Sequence, residues 1–468
     1  MTLGHVIGAT GVLALIAATA FAARAKVKSF DDFATGSNRL SAVHVAGTII
    51  GTIVGGASTV GAAQLAFKYG LAGWWFSLGS GFALAFLGLV LSGPLRRAGV
   101  TTIPQFLARS YGEGVAPWSW LFTSIGLLLN IIGQVLAAVS LLSSVFGMKP
   151  DLSAVITTVA VILYVIYGGV WSAGSVGLVK TTVLVGSMLA VGWVTNGLLG
   201  GLWQLRAALP AYPYFSLLGR GVWVDLAAAF SLLVGVASTQ TYLQAVFAGR
   251  DASASKKGTL LAALIAPLVG LPSVVVGMYM RVTHPGIVAS AALPQFVTEY
   301  MNPVLAGAIL ATLFISVIGT AAGLGLGIGV MFAQDIYRNR IKKAATDAQV
   351  LAASRIAIFV VAVLALVISL AGMESLILKW SFLSMGLRGS TVFFPLMGAV
   401  FLPRCIERRA GVLAVALAPL CSLVWGVLNP SGLDPLYIGL TTSVLVLGAG
   451  RVLGRSVAPQ VRQAPGGR

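Results

Sequence analysis

The chain alternates long apolar runs with short polar breaks from its first residues to about position 450. Each run is roughly 20 residues long, enough for a helix to cross a ~30 Å hydrocarbon layer with its backbone hydrogen bonds made internally. No segment shows the period-2 alternation of a membrane barrel strand. The pattern predicts an all-α polytopic membrane protein with about thirteen transmembrane helices, centred near 14, 53, 84, 130, 161, 186, 235, 268, 319, 360, 390, 420 and 444. The first run, 6–23, follows MTLGH, which lacks Lys and Arg, and precedes Arg24, Lys26 and Lys28. That charge order predicts a retained helix rather than a cleaved leader.

Polar positions then set a direction. Arg24/Lys26/Lys28/Arg39, Arg96/Arg97/Arg109, Arg250/Lys256/Lys257, Arg338/Arg340/Lys342/Lys343, Arg404/Arg408/Arg409 and the basic tail fall on one side of this span count. The other side holds scattered cations: Lys68, Lys149, Arg206, Arg220 and Arg281. The asymmetry predicts an N-terminus outside and a C-terminus in the cytoplasm, in the cell (plasma or inner) membrane. Residues 455–468 read as a disordered cytoplasmic tail.

Composition removes several function classes. Hydrophobic residues are 58% of the chain and charged residues 9%, against about 25% charged in a soluble domain. The net charge of +18 is accounted for by the basic loops, so it implies a lipid bilayer and not nucleic acid as partner. Cys405 and Cys421 have no metal-type spacing and read as small apolar groups. With His5, His44 and His284 they form no catalytic set, so no enzyme and no cofactor is expected.

Two spans carry unusual punctuation. AGTIIGTIVGGASTVGAAQ places Gly47, Gly51, Gly55, Gly56 and Gly61 within the membrane, and FSLLVGVASTQTYLQ repeats Ala-Ser-Thr at 237–239 after 57–59, five spans later. Paired interrupted helices in corresponding positions point to an inverted-repeat transporter with a midplane site. The same glycines also serve close helix packing.

Several motifs then converge in order: FDDFATGSNRLSAVHVAGTIIGT, FKYGLAGWW, TTIPQFLARSYG, YVIYGGVWSAG, QTYLQAVFAGRDASASKKG and AQDIYR. Together, over roughly 30–405, the chain resembles the sodium:solute symporter family. The resemblance implies a leucine-transporter-type core of ten helices in a 5+5 inverted repeat. Its domains here would be an N-terminal extra helix and loop (1–40), the transport core (41–403), two C-terminal helices (404–454) and the tail (455–468).

The resemblance also implies a sodium ion between the first and eighth core helices. Its ligands would be the carbonyls of Gly51, Val54 and Ser316 and a hydroxyl pair at 319 and 320. Thr320 fits, whereas Gly319 supplies no hydroxyl. In the fifth core helix, where the family often carries Thr-Asp and then Gln, this chain has Val176, Gly177 and Lys180. A carboxylate is missing and a cation stands one turn away.

A charge at mid-bilayer costs at least ~2.5–3.5 kcal/mol, so intramembrane ionisable residues read as functional. Lys180 and Arg388 qualify, while every Asp and Glu reads to a loop or helix end. Lys180 has three readings: a tethered substitute for sodium, as in some sodium-independent carriers of this fold; a carrier of a coupled proton; or a side chain snorkelling to the cytoplasmic interface. Arg388, in the tenth core helix, suits an anionic solute group held bidentately, or a structural tie to carbonyls. Ser58, Thr59, Gln64, Ser238, Thr239 and Gln240, with Asn130 and Gln134, read as solute-facing or as interhelical hydrogen bonds. Trp74, Trp75 and Phe76 read as an outer gate or as interfacial anchors. Asp335 reads as pairing with loop cations.

The expected function is secondary active transport of a small organic, possibly anionic, solute by alternating access. Sodium is the coupling ion implied by the family, with no other metal. The alternatives are a sodium-independent or proton-coupled carrier using Lys180, or a transporter-like sensor acting through a separate protein. A monomer suffices for this fold.

Overall fold

The structure, a computed structural model, describes residues 2–24, 39–199, 202–403, 405–428 and 432–453. The expected loop over 25–38, the tail and Arg404 lie outside them. The elements are α1 (Leu3–Arg24), α2 (Ala42–Ile53), α3 (Ala62–Tyr69), α4 (Trp75–Phe86) running on to Arg97, α5 (Ile103–Tyr111), α6 (Val115–Phe146), α7 (Pro150–Leu199), α8 (Val222–Val236), α9 (Gln240–Ala248), α10 (Ala252–Thr283), α11 (Ala292–Tyr300), α12 (Pro303–Met331) running on to Ile341, α13 (Asp347–Ala371), α14 (Ile377–Phe401), α15 (Arg408–Leu428) and α16 (Pro435–Leu453). Among the described residues the sole extended pairing is one bridge between Leu40 and Gly249.

Nine helical stretches among the described residues are long and apolar enough to cross a membrane, and 3–19, 42–53 and 150–164 are shorter apolar helices. The spans expected near 161 and 186 fall on one continuous helix, α7. Both of its halves reach α12, since Tyr164 Oη and Lys180 Nζ lie 3.6 and 3.4 Å from where a Cβ on Gly319 would sit. A straight helix would hold residues 164 and 180 ~24 Å apart, so the axis bends between them.

The two expected interruptions are present. At Val54 (φ −92°, ψ 99°) the chain leaves helical geometry, and it resumes through a wider π turn in which Gly61 N–H donates to Gly56 O at 2.7 Å. Thr239 (φ −89°, ψ 117°) separates α8 from α9. Between these breaks lies α12, buried along almost its whole length. An α-helix apolar on all sides belongs inside a bundle. Its small residues let the breaks approach: a Cβ on Gly323 would lie 2.7 Å from Thr52 Oγ1, and one on Gly327 2.7 Å from Thr241 Oγ1.

At one end of the bundle the basic loops are tied together. Arg96 donates to Gly249 O, Arg340 Nη2 to Glu113 O at 2.7 Å, and Arg338 pairs with Asp347 at 3.7 Å. Cys421 is half-buried, but Cys405 is exposed in the turn before α15, so it does not pack as an apolar group as expected.

Candidate functional site

The site forms where α2 breaks against α12. When α2 stops at Ile53, the carbonyls of its last turn lose their helical N–H partners. Gly51 O and Val54 O turn toward α7, and Ser316 O of α12 joins them. Lys180 fills the space between. Its Nζ donates to Gly51 O at 2.5 Å, to Val54 O at 3.3 Å and to Ser316 O at 3.2 Å. An ammonium has three donors, and here each meets a backbone carbonyl. Lys180 is 1% exposed, so it does not snorkel to the interface.

One glycine makes this geometry possible, and a second adjoins it. A Cβ at Gly177 would run into Gly47 O, so the missing carboxylate position is a point of close contact between α7 and α2. That approach brings Lys180, one turn later, within reach of the break. At Gly319 a Cβ would lie 3.4 Å from Lys180 Nζ and 3.5 Å from its Cδ. These are ordinary contact distances, so the position without a hydroxyl lies directly against the lysine. Thr320 Oγ1 still faces the site, donating to Val54 O at 3.4 Å. The Ser316 hydroxyl is buried without a partner.

Arg388 is the second buried cation, with 0% exposure. Nε donates to Ser384 O at 3.1 Å, Nη1 to Thr239 Oγ1 at 2.7 Å, and Nη2 to Ser384 Oγ at 2.9 Å with Met385 Sδ at 3.1 Å. It thus ties α14 to the break between α8 and α9. Among the described residues no carboxylate forms an ion pair with either cation.

Most of the other expected solute-facing residues are spoken for. Gln134 Oε1 accepts Gly56 N–H at 2.8 Å, and its Nε2 donates to Asn130 Oδ1 at 3.1 Å. Gln64 Oε1 accepts Ile377 N–H at 3.0 Å at the start of α14. Gln240 accepts Ile103 N–H at 2.8 Å and donates to Thr101 O at 3.1 Å. Each glutamine satisfies backbone at a helix end or break, where orphan groups must find partners. Ser58 and Thr59 donate to Ile53 O and Gly55 O at 3.3 and 2.9 Å. Only Ser238 Oγ, of this set, is buried with no partner.

At the opposite end from the basic loops, Trp74 Nε1 donates to Pro267 O at 3.0 Å and Trp75 Nε1 to Leu217 O at 2.6 Å. Phe76 meets Phe382 with ring centroids 6.1 Å apart. Arg220, paired with Asp225 at 2.6 Å, lies 5.1 Å over the Phe382 ring. Each of the three aromatics is thus tied to a neighbouring element. Nearby, burial pushes the Asp434 carboxyl above its ordinary value.

Asp335 departs from expectation. It is 2% exposed and accepts from Thr102 Oγ1 at 3.0 Å, with no loop cation paired to it. The family-like AQDIYR motif marked it in the sequence, but its position near the end of a helix concealed its burial.

The sodium:solute symporter family model matches residues 33–418. The symporter YwcA of Bacillus subtilis (strain 168), itself uncharacterized, is 24% identical over 374 residues, 75% of this chain and 72% of its own length. The high-affinity choline transporter 1 of Drosophila melanogaster is 24% identical over 338 residues, 69% of this chain and 54% of its own. Among solved structures, a substrate-bound, outward-open Na+-coupled sialic acid symporter has a TM-score of 0.80 at 18% identity, covering 99% of this chain and 100% of that one. MhsT in complex with L-phenylalanine has a TM-score of 0.56 at 14% identity, covering 88% and 99%. These structures share the leucine-transporter-type fold. The chain, an integral membrane secondary transporter and not an enzyme, belongs to the sodium:solute symporter family.

Proposed function

We propose that this transporter carries its coupling-site cation as part of its own chain. Sodium is the ion its family implies, and the three carbonyls expected to bind it are Gly51, Val54 and Ser316. The single observation that carries the proposal is that Lys180 Nζ donates to all three. A hard cation wants several oxygens, and unwound backbone provides them without burying a counter-charge. An ammonium in that cage bridges the broken α2 to α12 as a bound ion would, but it cannot leave. Uptake by this chain then does not draw on a sodium gradient at this site.

The solute is a small organic molecule with an anionic group. Arg388 supports this, because its charge is met only by hydroxyls, a carbonyl and a thioether, all neutral acceptors. A carboxylate would pair with the guanidinium bidentately and gain a charge-assisted bond. Ser238, buried and unpartnered beside Thr239, offers a further hydrogen bond at the same break. The basic loops face the cytoplasm in this reading, and the Trp75–Phe76–Phe382 lid closes the outer side. One protomer is sufficient for the cycle.

The test is uptake of labelled organic acids, with choline as a cationic control, into proteoliposomes under a sodium gradient, a proton gradient or neither. Acid uptake indifferent to sodium and abolished by Lys180→Ala supports the reading. Uptake that requires sodium and survives Lys180→Ala overturns it.

A further inference from the structure

A cavity lies away from the Lys180 site, at the end carrying the basic loops. It measures ≈ 290 Å³, and its wall includes Gln105, Arg109, Glu113, Asp335 and Asn339. That is room for several waters or a partly hydrated ion, at about 30 Å³ per water. The wall draws on the turn before α5, α5 itself, the loop that joins it to α6, the start of α6 and the extension of α12.

We infer that this cavity is a binding site for a small alkali-metal cation, anchored by Asp335. The carboxylate lines the cavity, Oδ1 accepts from Thr102 Oγ1 at 3.0 Å, and Oδ2 is buried with no hydrogen-bond donor at all. Burying an ionised carboxylate with one oxygen unmet costs several kcal/mol unless a proton neutralises it or a positive group completes it. Two charged side chains of opposite sign, Arg109 and Glu113, share the cavity wall with Asp335, and among the described residues neither Arg109 nor Arg340 pairs with the Asp335 carboxylate. Arg109 turns Nη1 to Ala98 O, and Arg340 gives Nη2 to the Glu113 backbone carbonyl at 2.7 Å. Gln105, also on the cavity wall, accepts Thr101 N–H at Oε1 at 3.1 Å. The ligands are carboxylate and amide oxygens, which suit a hard cation.

The position gives such an ion a mechanical role. Thr102, which holds Asp335, sits between Thr101 and Ile103, and Gln240 clamps both of these from the first residue of α9. A cation in the cavity therefore ties the extension of α12 to the break between α8 and α9. This site shares no residue with the Lys180 cage and does not depend on that reading.

The experiment is thermal unfolding of the full chain in detergent, at fixed ionic strength, with N-methylglucamine chloride replaced stepwise by NaCl or KCl. The expected result is a saturable rise in melting temperature with at least one alkali cation in the wild type and equally in Lys180→Met. The shift should vanish in Asp335→Asn. Should Asp335→Asn fail to fold, Glu113→Gln, at an exposed position, should raise the half-saturating cation concentration several-fold. No shift in the wild type with either cation overturns the inference. So does an undiminished shift in Asp335→Asn, or an unchanged half-saturation in Glu113→Gln.

Discussion

Two cations are buried in this core without a carboxylate partner, and they are held in opposite ways. Lys180 meets three backbone carbonyls from two helices. Arg388 meets mainly side-chain groups: the hydroxyls of Thr239 and Ser384 and the sulfur of Met385, with one carbonyl. Backbone carbonyls are fixed dipoles, so under the proposed function the lysine acts as the attached cation of its cage. Hydroxyls rotate and are neutral, so the arginine fork remains open to a better acceptor. The chemistry of each side chain matches: a compact point charge suits a cage, and a planar fork suits an anion.

The sharpest way to break that comparison is Lys180→Met. It keeps the apolar stem, removes the charge and strands three carbonyls. Uptake should fall by a factor on the order of 100, and stability by roughly 3 kcal/mol, measured by initial rates and by denaturation in detergent. Arg388→Gln should spare the fold far more. Its expected effect is a weaker affinity for an anionic solute, by about 2 kcal/mol or ~30-fold in Kd, with no comparable change for a neutral analogue in a binding titration.

Gly177→Ala asks whether helix approach positions the lysine. A Cβ there meets Gly47 O, so overpacking of ~1–3 kcal/mol is expected, along with reduced uptake, and the double variant with Lys180→Met should be no worse than Lys180→Met alone. The smallest effect belongs to Gln134→Ala. It orphans Gly56 N–H at the restart of the first core helix and should cost ~1–2 kcal/mol while leaving solute selectivity intact.

Lys180 and Gly319 could be read from the sequence because each breaks a local rule. One puts a charge in an apolar run, and the other puts a glycine where a hydroxyl is expected. The two helix breaks were legible for the same reason, as a glycine cluster in one and the repeated Ala-Ser-Thr at paired positions in both. The glutamines were not. Gln64, Gln134 and Gln240 have the composition of a solute site, yet they satisfy backbone at helix ends, and which way an amide turns depends on neighbours far along the chain. Asp335 misled in the reverse sense. A carboxylate near a helix end ordinarily reaches water, but α5 and its N-cap residue Thr102 fold over this one. The bend in α7 left no period change that would separate two spans from one helix.

The most direct test of the tethered-cation site is to convert it back. Lys180→Ala vacates the cage, and Gly319→Ser restores the second hydroxyl beside Thr320. Solute uptake into proteoliposomes would be compared with and without an inward sodium gradient, for the wild type and for this double variant. The expected result is sodium-indifferent uptake by the wild type and sodium-stimulated uptake by the double variant. Sodium-driven uptake by the wild type, unaltered when Lys180 is removed, would contradict the assignment.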